Sequence, residues 1–145
     1  METRILLVDD HAMVRQRLHQ MLEQHDEWKV CGEAANGKEA LDKLKNVQPD
    51  LVVMDFMMPQ MNGLEASQQI IQRSPETPIL MLTVYATGQL MNQAKSAGVK
   101  GFCSKNKIDC IVEAVSRILQ GGTYFHTETR EEQAQADQED SQERN

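Results

Sequence analysis

The 145-residue sequence lacks the features of several large protein classes. Its three cysteines are odd in number and lack metal-binding spacing, so we predict neither a disulfide framework nor a zinc site; they are Cys31, Cys103 and Cys110. We expect all three as small buried side chains. No apolar run approaches the roughly 18 to 20 residues that span a bilayer, and no signal-peptide pattern opens the chain. We therefore expect a cytosolic protein without a membrane segment.

The sequence also lacks a basic excess. Its formal net charge is −7, and residues 128–145 carry seven acids and two arginines, which leaves only −2 for residues 1–127. Without a basic face, we predict no direct binding of nucleic acid. The remaining composition, 40% hydrophobic and 26% charged, indicates one globular domain, which we place at residues 1–125. We expect the acidic residues 126–145 to form a disordered tail or linker.

Strand patterns and helix patterns alternate along the domain. Five short apolar runs predict strands, at residues 4–8, 28–34, 51–54, 78–82 and 99–103. Apolar residues at helical intervals follow each run, and Gly121-Gly122 ends the last helix. Parallel strands need crossovers, and these are right-handed. The predicted fold is therefore an α/β domain with a doubly wound, five-stranded parallel sheet and helices on both faces.

Unusual polar residues stand where the predicted strands end. They are Asp9, Asp10, Asp55, Thr83 and Lys105. Taken singly, such residues also serve as helix caps or solvated loop side chains, but their coincidence at one sheet edge favours a functional site. Crowded carboxylates repel one another unless they share a cation, and Mg²⁺ best matches an oxygen-rich site with few protein ligands. With the metal bound, one carboxylate can attack a phosphoryl group, which a lysine and a threonine hydroxyl can contact.

Four motifs together resemble the receiver domain of two-component response regulators, over about Thr3 to Gly122. They are Val8-Asp9-Asp10-His11, the segment Met54 to Gly63, Leu82-Thr83, and Gly101-Phe102-Cys103-Ser104-Lys105. The resemblance implies a flavodoxin-like receiver fold and a place in a phosphorelay. It also implies a sensor histidine kinase or phosphotransfer protein as phosphoryl donor, and self-catalysed phosphorylation instead of enzyme turnover.

The resemblance assigns roles residue by residue. Asp55 is implied to be the phosphoacceptor, and Mg²⁺ is implied to bind Asp10, Asp55 and the backbone carbonyl of Met57, with Asp9 assisting. Thr83 and Lys105 are implied to contact the phosphoryl group. Phe102 matches the family's switch aromatic, although an ordinary core phenylalanine is an equally good interpretation.

Finer motifs are most similar to receivers of the NarL/FixJ class, which usually precede a DNA-binding helix-turn-helix. The residues after Phe125 show no apolar periodicity, so the chain is either a single-domain regulator or the receiver of a longer one. Kinase pairing is expected on the first helix, around Met13 to Leu22. An output or dimer surface is expected near Leu90, Met91 and Ile108, although core packing is favoured for these three side chains. Monomer and weak, phosphorylation-dependent homodimer both stay open, and the output partner is unknown.

Two departures from the family matter. Asn106 replaces the proline that commonly follows the switch lysine, so we assume no cis bond, which costs roughly 3 to 4 kcal/mol without proline. Met57 and Tyr85 are bulky at positions that influence the water removing the phosphate in this family, so we expect slow dephosphorylation.

Other functions fit less well. A phosphohydrolase of the haloacid-dehalogenase kind needs an acid where Met57 stands. A nucleotide-binding module lacks its glycine motif. A receiver that binds a partner without phosphorylation would leave the acids unused.

Overall fold

A computed structural model describes residues 2–127, and six strands alternate with five helices in that range. The strands are β1 Thr3–Val8, β2 Trp28–Ala34, β3 Leu51–Asp55, β4 Ile79–Thr83, β5 Gly101–Ser104 and β6 Tyr124–Phe125. The helices are α1 Ala12–Glu23, α2 Gly37–Val47, α3 Gly63–Arg73, α4 Gly88–Ala97 and α5 Ile108–Leu119.

The strands form one parallel sheet in the order β2-β1-β3-β4-β5-β6. The predicted doubly wound α/β fold is confirmed, but the sheet has six strands where the sequence predicted five. The additional strand, β6, pairs with β5 through Gly101 and Tyr124. Two residues are too few to show an alternating pattern, which is why the sequence did not reveal it. Strand order reverses at β1, so the crevice of the sheet lies beyond the carboxyl ends of β1 and β3.

Helices cover both faces of the sheet, and each face has its own apolar cluster. Ile5 and Leu7 of β1 pack with α1 and α5, while Leu6 and Val8 pack with α2, α3 and α4 on the opposite face. Strands β3 and β4 are buried along their whole length, as expected for central parallel strands. The sheet is therefore a rigid platform for the residues that follow its strands.

Local signals in the sequence mark where helices begin and end. Asn36 caps α2 by accepting a hydrogen bond from the Glu39 N–H, and Thr87 caps α4 in the same way for Leu90. Gly98 ends α4 with φ 102°, a left-handed conformation that glycine adopts without a steric penalty.

Some burial predictions were wrong. Cys103 is buried, but Cys31 and Cys110 are only half-buried, and all three are free thiols. Ile108 is the first residue of α5 and is 49% exposed, so the expectation that its side chain packs in the core was wrong. Leu90 and Met91 are half-buried against the core.

Three further expectations concern the backbone and the ends of the domain. Within residues 2–127 every peptide bond is trans, including the one before Asn106. No helix in that range is long and apolar enough to cross a membrane. The expected acidic tail lies, from residue 128 onward, outside the described residues.

Candidate functional site

Asp9 and Asp55 lie side by side at the carboxyl edge of the sheet. Val8 of β1 pairs with Met54 of β3, so the next residue on each strand is one of the two acids. Asp9 is 0% exposed and Asp55 is 2% exposed. Two carboxylates buried next to each other are unfavourable unless positive charge compensates them.

The backbone of Asp9 is held in place by an arginine from α1. The Arg15 guanidinium donates a hydrogen bond to the Asp9 carbonyl oxygen at 2.6 Å, and its Nε lies 3.2 Å from Glu33 Oε1 on β2. The loop after β1 is thereby tied to both α1 and β2.

Lys105 supplies positive charge to both acids. Its Nζ lies 2.6 Å from Asp9 Oδ2 and 3.1 Å from Asp55 Oδ2, and its side chain is 11% exposed. The Lys105 N–H donates to the Thr83 carbonyl oxygen at 2.9 Å, which anchors the lysine beside β4. Burial alone would lower the pKa of Lys105, but the two acids outweigh burial and raise it, so the ammonium stays charged.

One lysine does not neutralise two buried acids. Burial raises the pKa of Asp55 from 3.8 to about 6; Lys105 opposes this shift and Asp9 adds to it. The Met57 N–H lowers the pKa of Asp55 only slightly, and Asp55 Oδ1 is buried and accepts no hydrogen bond of normal geometry from the described part of the chain. A second cation at this edge would satisfy that oxygen and lower the pKa of Asp55.

Asp10 and His11 complete the cluster on the solvent side. Asp10 has a side chain 24% exposed, and the His11 ring Nδ1 lies 3.0 Å from Asp10 Oδ1 and 3.6 Å from Asp9 Oδ1. One ligand atom from each of Asp9, Asp10, His11 and Asp55 lies within 4.8 Å of all the others. Carboxylate oxygens are the ligands that Mg²⁺ prefers, so the three acids fit that ion.

His11 is the residue that sequence reasoning overlooked as a possible ligand. It directly follows the acid pair, but adjacency in sequence does not say whether a side chain faces the cluster. In the structure His11 is the residue before α1, and its ring Nδ1 lies 3.0 Å from Asp10 Oδ1.

The loop after β3 folds back over the site because residue 63 is glycine. A Cβ atom at position 63 would lie 2.3 Å from the Asp55 carbonyl oxygen, and the Gly63 N–H donates to the Phe56 carbonyl at 2.8 Å. Asn62 caps α3 by accepting from the Glu65 N–H. This close turn leaves Met57, which is 55% exposed, in one shallow cavity with Asp10 and His11.

Thr83 and Phe102 lie on the neighbouring strands. Asp55 pairs with Leu82, so Thr83 stands one residue past the partner of the acid, and it is 1% exposed. Its Oγ1 accepts a hydrogen bond from the Tyr85 N–H at 3.2 Å. The Phe102 ring is 0% exposed and belongs to the apolar cluster on the α4 side of the sheet. The structure thus places every predicted site residue near this edge, with Phe102 buried behind it.

Comparison with known proteins shows which family this chain is similar to. The family model of the response regulator receiver domain matches residues 5–116. Transcriptional regulatory protein YdfI of Bacillus subtilis is 41% identical over 103 residues, which are 71% of this chain and 48% of that protein. Transcriptional regulatory protein DegU of Brevibacillus brevis is 31% identical over 123 residues, 84% of this chain and 52% of that one. This chain spans about half the length of each.

The fold comparison agrees. A crystal structure of a LuxR-family two-component response regulator from Aurantimonas sp. SI85-9A1 matches with a TM-score of 0.83 and 30% identity. The match covers 97% of this chain and 99% of that one.

Proposed function

Because the chain belongs to the response regulator receiver domain family, we propose that it is a phosphorylation-controlled switch with Asp55 as the phosphoryl acceptor. The observation that carries this proposal is the pairing of a buried acid with a lysine whose side chain is only 11% exposed. Asp55 is 2% exposed, lies 3.1 Å from Lys105 Nζ, and has one oxygen without a hydrogen-bond donor in the described range. Purely structural carboxylates at strand ends are normally hydrogen-bonded.

The chemistry follows from the charges. At neutral pH Asp55 is mostly ionised, because its raised pKa is about 6. A carboxylate oxygen of Asp55 forms a bond to phosphorus while the bond from phosphorus to the donor breaks, and the donor keeps that electron pair. The Lys105 ammonium lies where it can neutralise charge on the transferred oxygens. This is self-phosphorylation from a donor and not enzyme turnover.

The cluster fits a Mg²⁺ ion. We propose that Asp9, Asp10, Asp55 and the backbone carbonyl of Met57 hold it, as the family resemblance implies. When bound, the ion supplies positive charge to the phosphoryl oxygens and orients the phosphoryl donor. The ion would at the same time offset the burial, and the smaller repulsion from Asp9, that raise the pKa of Asp55.

A second state of the domain would depend on Thr83. In the structure the Thr83 Oγ1 already accepts a hydrogen bond from the Tyr85 N–H. The Thr83 hydroxyl would donate its own hydrogen to a phosphoryl oxygen on Asp55 while still accepting from the Tyr85 N–H, and would so draw the loop after β4 toward the site. We propose that this displacement, together with the buried Phe102 ring, alters the surface that an output partner contacts.

The partners are proposed from the family. A sensor histidine kinase or a phosphotransfer protein would dock near α1 and deliver the phosphoryl group. Two matched regulators are named transcriptional, and this chain spans about half of each. We therefore propose residues 1–125 as the receiver domain, working either alone or ahead of a DNA-binding domain. Monomer and weak, phosphorylation-dependent homodimer are the two assembly states to distinguish.

Intact mass spectrometry tests the proposal. The purified chain is incubated with acetyl phosphate and Mg²⁺, beside an Asp55→Asn variant and a sample with EDTA. We expect one phosphoryl adduct on the wild-type chain and none in either control. If the folded wild-type chain takes up no phosphoryl group and does not bind beryllofluoride, the switch is wrong and a phosphorylation-independent binding module becomes the better conclusion.

A further inference from the structure

The imidazole of His11 is turned toward the acidic cluster without serving the helix that it precedes. His11 is the N-cap residue of α1, yet its side chain makes no capping hydrogen bond. Its backbone N–H donates to Asp9 Oδ1 at 2.8 Å, which fixes the residue beside the acids. Its ring Nδ1 lies 3.0 Å from Asp10 Oδ1. The ring therefore contacts the acidic cluster and does not cap α1.

A separate observation indicates that this cluster takes a cation. Asp55 is 2% exposed, and its Oδ1 accepts no hydrogen bond from any described residue. An ionised oxygen buried without a donor is unfavourable unless a cation binds it. The His11 side chain is 65% exposed whereas that of Asp9 is 0% exposed, so the ring lies on the solvent side of the cluster.

The distances suit a mixed nitrogen and oxygen site. The four ligand atoms of Asp9, Asp10, His11 and Asp55 lie within 4.8 Å of one another. Ligands about 2.0 to 2.2 Å from a metal ion lie at most about 4.4 Å apart. The largest separation therefore exceeds that limit by less than about half an ångström, which is compatible with one coordination sphere after a small side-chain adjustment. The exposed His11 ring has the freedom to make that adjustment.

We propose that His11 is an additional ligand at this site and lets it bind divalent transition-metal ions such as Ni²⁺ in competition with Mg²⁺. This inference rests on the proposed function, because it uses the same acids. Imidazole nitrogen favours Ni²⁺, Cu²⁺ and Zn²⁺, whereas carboxylates and water suit Mg²⁺. A site of acids alone would discriminate less in favour of Ni²⁺ than a site with one ring nitrogen. The nitrogen therefore sets which ion reaches Asp55 when both are present.

Isothermal titration calorimetry with the purified chain measures this selectivity. The affinities for Ni²⁺ and for Mg²⁺ are determined for the wild type and for His11→Gln. Removing a nitrogen ligand should reduce the ratio of Ni²⁺ affinity to Mg²⁺ affinity on the order of tenfold or more. Because both ions are measured on the same variant, a general disturbance of the cluster would affect both affinities and leave the ratio unchanged.

The matched control is His25→Gln. His25 is exposed and stacks on Trp28 at a ring-centroid distance of 4.0 Å, away from the acids. We expect its variant to keep the wild-type ratio, and we expect Mg²⁺ to displace Ni²⁺ from the wild-type protein. If a saturating Mg²⁺ concentration leaves the apparent Ni²⁺ affinity unchanged, Ni²⁺ binds at a different site, and this would overturn the inference.

Two failures can be told apart. If Mg²⁺ binds and supports phosphorylation of Asp55 but His11→Gln keeps the wild-type ratio, His11 is no ligand and the proposed function stands. If neither ion binds the wild-type chain, both the His11 inference and the Mg²⁺ site of the proposed function are wrong.

Discussion

The ammonium group of Lys105 lies 2.6 Å from the Oδ2 atom of Asp9, a residue wholly buried at the end of β1. The same ammonium is 3.1 Å from the proposed acceptor, Asp55. The lysine is therefore the counter-ion of a buried acid as well as a proposed contact of the phosphoryl group. A substitution at Lys105 should affect the stability of the unphosphorylated protein as well as its chemistry.

We predict that Lys105→Met destabilises the metal-free protein by about 3 kcal/mol, because it leaves two buried acids without their counter-ion. Urea unfolding in EDTA measures this change. The double variant Lys105→Met with Asp9→Asn should recover part of the loss, since it removes one of the acids as well. A double variant less stable than Lys105→Met alone would contradict this explanation.

The raised pKa of Asp55 predicts a pH-dependent stability. The carboxyl has a pKa of about 6 in the folded chain and an ordinary value of 3.8, so the folded state binds its proton more tightly. This stabilisation is complete below about pH 4 and is lost as pH rises through 6. Asp55→Asn cannot ionise, so relative to wild type it should gain up to about 3 kcal/mol between pH 4 and pH 8.

Unfolding in EDTA across that pH range checks the Asp55 prediction. The control is Asp42→Asn, which changes an exposed acid on α2 and should follow the wild-type profile. A constant difference between Asp55→Asn and wild type at every pH would show that burial does not raise the pKa of Asp55.

The close turn at Gly63 predicts an asymmetry between two glycines. Gly63→Ala brings a Cβ atom against the Asp55 carbonyl oxygen, so we expect a loss of stability of about 2 to 3 kcal/mol and weaker Mg²⁺ binding. Gly88 is the first residue of α4, and a Cβ there meets nothing within 4 Å. Gly88→Ala should be neutral or stabilising by up to about 1 kcal/mol.

Thermal unfolding of both glycine variants, followed by Mg²⁺ titration, measures these effects. Equal stability of the two variants would mean that the loop after β3 shifts freely, and that Gly63 does not hold the acceptor in place.

The bulk of Met57 and Tyr85 should affect the lifetime of the phosphoryl group on Asp55. Their side chains are 55% and 42% exposed and line one groove beside Thr83. We expect slow dephosphorylation, because bulky side chains at these two positions would restrict the access of water to the phosphoryl group, as the family resemblance implies. Met57→Ala should lose its adduct several-fold faster than wild type, as followed by intact mass over time. Met13→Ala, which changes a methionine 78% exposed on α1, should behave as wild type. A wild-type lifetime of only seconds would refute this idea.

Much of the fold could be predicted from the sequence, because the signals are local. Apolar runs such as Leu51-Val52-Val53-Met54 are long enough to show a strand, and Asn36 and Gly98 mark helix ends through their own backbone preferences. Strand β6 has only two residues and no alternation of polar and apolar side chains, so it could not be predicted from the sequence pattern. Ile108 continues the apolar composition of α5, yet it stands at the exposed end of the helix, where the stripe no longer faces the sheet.

The sequence by itself determined the alternation of strands and helices and the polar residue that ends each central strand. Parallel strands carry their last residues to one edge, so Asp9, Asp55 and Lys105 had to meet. Only the tertiary structure decided how they meet. Which acid the lysine approaches more closely, how far burial raises the pKa of Asp55 and whether the His11 ring faces the acids all depend on packing between distant segments. Those contacts arise from strand register and loop geometry, which no local pattern encodes.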